Sequence, residues 1–276
     1  MDASYLGYVD GYVKHGHQRH GLGNVLFMIN AALSCGAEPI LVNTTNVIFG
    51  TANAFGRRMQ PRPYTSTLLS RFTLAQSKPK RIGGALRGGA GPLAPIPTCP
   101  NASSFTVRTF GQSPHFAASA WKLVERLVWP PTAAEISAKY PGIERGTCVG
   151  VRAGRDFAHR PISASQYARA LAYLRSVGES TAPLFVLADV PRAQWAPLLV
   201  DASADAAHAT QIAEDDVTQL AIGRRCRNFV VSQSSFHVWL AYVAIAPQWV
   251  IAFNGSDPHH TGILSPPWFT RPWVLL

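Results

Sequence analysis

Arg152 stands directly behind the apolar run "CVGV" in the segment "VGVRAGRDF". An arginine beside a buried strand needs an anion, and its planar fork suits a phosphate. A structural ion pair with Asp156 or Asp189 is the alternative. Asp189 closes the run "PLFVLAD". It could accept hydrogen bonds from a sugar or a base, or cap the turn at Pro191. Gln233, Ser234 and Ser235 follow the run "NFVVS" and precede "FHVWLAYVAIA". A serine-rich turn opening directly into a helix presents backbone N–H groups and the positive end of a helix dipole. Such a turn cradles a phosphate without the glycines of a P-loop; its plain alternative is Ser234 as a helix cap. Phe236 is a candidate pocket wall and Trp239 a core residue.

These groups must be held by regular elements. "CVGVR", "PLFVLAD", "NFVVS" and "QWVIAF" read as strands. "SASQYARALAYLRSV" (capped by Ser163 or Ser165), "EDDVTQLAIGRRC" and "SSFHVWLAYVAIA" read as helices. Strands alternating with helices predict a parallel sheet covered on both faces. Ligands bind such sheets at the carboxyl ends of the strands, where Arg152, Asp156, Asp189 and the serine turn all fall.

The first half carries one clear unit, "GLGNVLFMINAALSCGAEPILVN". Gly21, Gly23 and Asn24 predict a turn, residues 25–35 a helix with Gly36 as its cap, and residues 39–42 a strand. The basic, Gly- and Pro-rich stretch from Arg57 predicts long loops with at most one short helix, around residues 66–74. In "FAASAWKLVERLVWPP" the spacing of Trp121, Val124, Leu127 and Val128 predicts an amphipathic helix stopped by Pro130 and Pro131. Residues 131–146 suit a boundary, which divides the chain into domains 1–140 and 141–276.

The chain has 276 residues, 47% hydrophobic and 14% charged, enough to bury a large core. Its 25 Lys and Arg against 15 Asp and Glu give a net charge of +10, which fits an anionic partner. Nucleic acid is the rival partner, with "KPKR" at residues 78–81 as its contact. The seven tryptophans sit mostly in apolar or Pro-flanked contexts, which speaks against an exposed stacking face. Cys35, Cys99, Cys148 and Cys226 form no CxxC pair, so free thiols in a reducing compartment are expected. No signal peptide or membrane-spanning run is visible, so a cytoplasmic location is expected. "GHQRHGLG" lacks the partners of a metal site, and Glu214, Asp215 and Asp216 read as the acidic start of a helix.

In order along the chain, four segments resemble motifs of the α-1,2-fucosyltransferases, glycosyltransferase family 11. "GLGNVLF" resembles "GxGNxxF". "VGVRAGRDF" resembles "HxRRGDY", and in spacing the "HxRxGxDW" of the related protein O-fucosyltransferases. "PLFVLADVPRAQW" is similar to "FxxFSDDxxW". "EDDVTQLAIGRRCRNFVVSQSSFHVWLAYVA" resembles "DDxxxMxxCxHxIxxNSSFSWWxAxL". The resemblance covers most of the chain and is weakest over residues 46–104.

It implies an α/β protein of GT-B type: two Rossmann-like domains facing a cleft, GDP-fucose held by the second, a glycan acceptor facing the first, and no metal or other cofactor. Arg152 and Asn24 would be the catalytic pair, Arg152 gripping the departing diphosphate and Asn24 facing the cleft. Gly23, Asp156, Asp189, Gln233, Ser234, Ser235 and Phe236 would bind the donor. The base is left open among Asp10, His17 and His20. Two departures stand out: Gly150 replaces the motif histidine, and His237 a motif serine. Another nucleotide sugar, or a non-catalytic GDP- or glycan-binding descendant, are the alternatives.

Overall fold

In the computed structural model the described residues are 5–9, 22–43, 65–75, 84–86, 99–101, 104–107, 120–153, 162–200, 207–232, 234–253 and 273–276. The chain forms two compact units, with the break between Pro130 and Pro131. Both are α/β layers built on parallel sheets, the class that the alternation predicts.

The first unit carries strands β1 (Tyr5–Val9), β2 (Ala37–Asn43), β3 (Thr73–Ala75), β4 (Gly84–Leu86) and β5 (Ser104–Val107). Their order is β3-β2-β1-β5-β4 and every pairing is parallel. Helix α1 (Leu22–Ser34) crosses from β1 to β2 and is buried along nearly its whole length. Gly36 follows it at φ +71°, a left-handed conformation that turns the chain into β2 at no steric cost.

Two expectations for this unit are corrected. Helix α2 covers only Thr65–Leu68, and Thr73 and Leu74, expected at the end of a helix over 66–74, instead belong to β3. A three-residue edge strand shows no period of its own, and its partner β2 decides it. Helix α3 (Ala120–Arg126) exists, but Trp121 is 43% exposed and the buried positions are Ala120 and Leu123, with Leu127 just beyond the helix. Of the expected stripe Trp121, Val124, Leu127 and Val128, Leu127 is buried, while the inward positions within the helix lie one residue before Trp121 and Val124.

The second unit opens with α4 (Ala133–Lys139), whose Thr132 and Glu135 form a capping box. It then carries β6 (Thr147–Val151), α5 (Ala164–Ser176), β7 (Leu184–Ala188), α6 (Arg192–Val200), β8 (Thr210–Gln211), α7 (Asp216–Gly223), β9 (Asn228–Val231), α8 (Ser235–Tyr242), β10 (Trp249–Ala252) and β11 (Val274–Leu275). Ser163, of the two serines considered, caps α5. Helix α6 is not evident from the sequence, because Pro197 lies inside it.

The sheet runs β8-β7-β6-β9-β10-β11, all parallel. In chain order that is third, second, first, fourth, fifth, sixth: the Rossmann arrangement, with its switch point between β6 and β9. Strands β6 and β9 are buried along their whole lengths, as strands covered on both faces must be.

The cysteines are not free thiols. Cys35 bonds Cys99 and Cys148 bonds Cys226, across 64 and 78 residues of chain. Pairs so far apart leave no local signature; the fold brings their Cα atoms to 5.3 and 6.0 Å. With the free thiols goes the reason given for a reducing compartment.

Candidate functional site

Three neighbouring strands, β7, β6 and β9, end on one rim of the second sheet. Arg152 is the first residue beyond β6, Asp189 the first beyond β7, and Ser232 the first beyond β9. In a parallel sheet, adjacent strands lie about 4.8 Å apart, so the three chain ends are neighbours. They flank the switch point, where such sheets hold ligands.

Arg152 pairs with Asp189: Nη1 lies 3.1 Å from Oδ2, with the side chains 30% and 19% exposed. The other oxygen, Oδ1, accepts the Ala153 N–H at 3.0 Å. One carboxylate thus ties the end of β7 to the end of β6. One of the readings open for Arg152, the ion pair with Asp189, is present. Asp189 correspondingly serves Arg152 and Ala153. Asp156 and Gln233 lie outside the described residues, as do His17, His20, Asp10 and the basic run at 78–81.

Ser234 occupies the N-cap of α8, yet its hydroxyl makes no capping hydrogen bond. The plain alternative, a capping serine, is therefore not what the side chain does. Its backbone N–H instead donates to Ser232 Oγ at 3.3 Å. Ser232 Oγ lies 2.6 Å from His237 Nδ1. That oxygen also accepts from Ser234, and with two lone pairs and one proton it can meet Nδ1 as donor or as acceptor, so the contact holds in either neutral tautomer of the ring. Ser235 and Phe236 begin the helix half-buried, and the Phe236 ring leans on His237.

Burial, and then the nearby Arg152 charge, push the His237 pKa down to about 3, so the ring is neutral at physiological pH. Below it, Gly150 is enclosed on two sides. Its carbonyl accepts the Tyr167 hydroxyl at 3.0 Å, and an added Cβ would stand 2.5 Å from His237 Nδ1. Helix α8 is seated by Gly223 of α7, where an added Cβ would stand 2.7 Å from Leu240 Cδ2.

The acidic run is structural. Asp215 caps α7 by accepting from the N–H groups of Val217 and Thr218. Burial pushes the Glu214 carboxyl up, but bonds from Lys139 and Tyr140 hold it below its ordinary value. Among the described residues, no group of His, Cys, Asp and Glu could hold a metal ion.

In the first unit, Gly23 and Asn24 are not in a turn but in the first turn of α1, Gly23 buried and Asn24 half-buried. A glycine pair in sequence suggests a turn; here burial against the sheet carries the helix back to Leu22. Sequence reasoning missed Ser232 and Tyr167 and assigned no role to His237. A serine ending a strand and a tyrosine inside a helix look like ordinary core or cap positions, and only packing gathers them around Gly150.

No family model matches the chain, and no curated protein matches it. Among solved structures it is similar to the fucosyltransferase NodZ from Bradyrhizobium (12% identity, 87% of this chain and 93% of that chain, TM-score 0.48). It is similar to POFUT1 in complex with GDP-fucose (12%, 99% and 98%, TM-score 0.42). A third is the glycosyl transferase family 9 protein from Veillonella parvula DSM 2008 (10%, 100% and 87%, TM-score 0.48). At these scores the likenesses carry no inference about this chain. Among the described residues no helix is long and apolar enough to cross a membrane.

Proposed function

We propose that this chain is an inverting glycosyltransferase of GT-B type that moves L-fucose from GDP-fucose to a hydroxyl of a glycan acceptor, in the manner of the α-1,2-fucosyltransferases. One observation carries the reading. Arg152, its partner Asp189 and the turn into α8 end three adjacent strands around the switch point of a Rossmann-ordered sheet. Three of the four resembling motifs fall on this unit, and the chemistry proposed for the rim is drawn from them.

Transfer breaks the bond between the anomeric carbon and a phosphate oxygen of GDP. The acceptor oxygen attacks from the opposite face and loses its proton to a base, which stays unassigned. Negative charge gathers on the diphosphate as the bond lengthens. The Arg152 guanidinium and the N–H groups opening α8 are fixed before that moment, so they stabilise the leaving group without reorganising. Asp189 has a part in this: it holds the guanidinium in place, while 30% of the Arg152 side chain still meets solvent. Asn24, on the first unit, belongs to the acceptor side of this proposal.

A second reading is a GDP- or glycan-binding descendant without transfer, favoured by Gly150 in place of the motif histidine. The test measures thermal shift with GDP, UDP and single-stranded DNA, then donor hydrolysis and transfer from GDP-fucose. GDP should stabilise the protein and DNA should not. Arg152→Ala should lower transfer about 100–1000-fold, the loss seen for one oxyanion-type donor, with far-ultraviolet circular dichroism unchanged. Near-normal transfer by that variant removes the assignment; binding without hydrolysis or transfer in the unaltered chain leaves the second reading.

A further inference from the structure

The two departures from the motifs, Gly150 and His237, touch each other. A methyl group on Gly150 would lie 2.5 Å from Nδ1, 2.6 Å from Cγ and 3.1 Å from Cβ of His237. Contacts of that length do not occur between real side chains, so position 150 can carry none while the ring is there. The ring is only 4% exposed and its Nδ1 is committed to Ser232. Ser232 in turn takes the N–H of Ser234, which occupies the N-cap position of α8. A relay therefore runs from the imidazole through one hydroxyl to the backbone of the turn.

We infer that His237 is a positioning residue, which fixes Ser232 and Ser234 at the entry to α8 and so the aim of the N–H groups that open the helix, and that Gly150 is bare in order to admit its ring. This rests on the proposed function only in naming the diphosphate of a nucleotide sugar as the ligand of that turn. The relay itself is independent of it. A hydrogen-bonding atom at the place of Nδ1 is the essential property. Without it the Ser232 hydroxyl rotates freely, and the Ser234 N–H loses a partner fixed in one orientation.

Asparagine and leucine have nearly the same size and shape, which makes the test sharp. His237→Asn keeps an amide, which can accept or donate, close to the place of Nδ1; His237→Leu fills the space without a polar atom. For both variants and the unaltered chain, GDP affinity is measured by calorimetry, and amide hydrogen exchange is followed in peptides spanning residues 232–236. His237→Leu should weaken GDP binding about tenfold, the worth of one lost buried hydrogen bond, and speed exchange in the turn. His237→Asn should stay within about threefold of the unaltered chain on both counts, by the same reasoning. If His237→Leu does not fold, Ser232→Ala removes the hydroxyl instead and should loosen the turn equally.

If His237→Leu matches the unaltered chain in exchange and affinity, the ring is only filler and the inference is overturned. Equal losses in the asparagine and leucine variants overturn it as well, because the hydrogen bond would then not matter. If the unaltered chain binds no GDP while exchange still separates the two variants, the positioning role stands and the proposed function alone fails.

Discussion

Replacing His237 by asparagine should change how stability depends on pH. An unfolded chain holds its histidine in water with a pKa near 6.5, whereas burial and the Arg152 charge hold the folded ring at about 3. Above pH 6.5 neither state takes the proton, and the group costs nothing. Below it the unfolded state binds a proton that the folded state refuses. Stability present above the unfolded value is therefore lost as pH falls toward the folded one. The slope approaches 1.4 kcal/mol per pH unit. Between pH 7 and pH 5, allowing for curvature near the midpoint, the loss is about 2 kcal/mol. The asparagine variant has no such proton to bind. Carboxylates that also titrate in acid, such as Glu144 held low by Ser137, are common to both proteins and cancel in the difference. Urea unfolding of both at pH 7 and pH 5 gives four free energies. The unaltered chain should lose about 2 kcal/mol more than the variant over that interval. Equal losses would mean that the ring is already protonated in the folded state, or that it is solvated, and the relay drawn through neutral Nδ1 would then be wrong.

Gly150→Ala should lower stability by about 1–3 kcal/mol, as overpacking does, and His237→Ala in the same chain should recover much of that loss; chemical unfolding of the two single variants and the double variant reads the coupling directly. The protein should show no titratable thiol until it is reduced, and reduction should lower the thermal midpoint, since closing loops of 64 and 78 residues is worth about 4 kcal/mol each in the chain-entropy picture.

The second unit was largely legible in the sequence because its strands are buried on both faces. Segments such as "TCVGV" and "NFVV" have no polar alternation to confuse them, and the helices between them carry their own caps at Ser163 and Asp215. Arg152, Asp189 and Ser234 could be placed on one rim for the same reason: a strand's carboxyl end is a position that sequence alone can name. Their partners could not be read. Whether Arg152 meets Asp189, Asp156 or a phosphate depends on side-chain reach across two strands. The contact of His237 with Gly150 depends on how closely α8 settles onto β6, which Gly223 sets from a third element. The disulfides and the short strands β3 and β4 failed for a related cause. Each exists only because a distant segment supplies the other half.

Gly150 offers no functional group to any ligand, yet a saturation scan would score it among the least tolerant positions on the rim. Its carbonyl is held by Tyr167 and the space above its Cα belongs to His237. Every larger residue would fail there for its neighbour's sake. Intolerance at such a site measures the bulk of an adjacent ring, and a screen that ranks positions by damage would mistake an empty seat for an engine part.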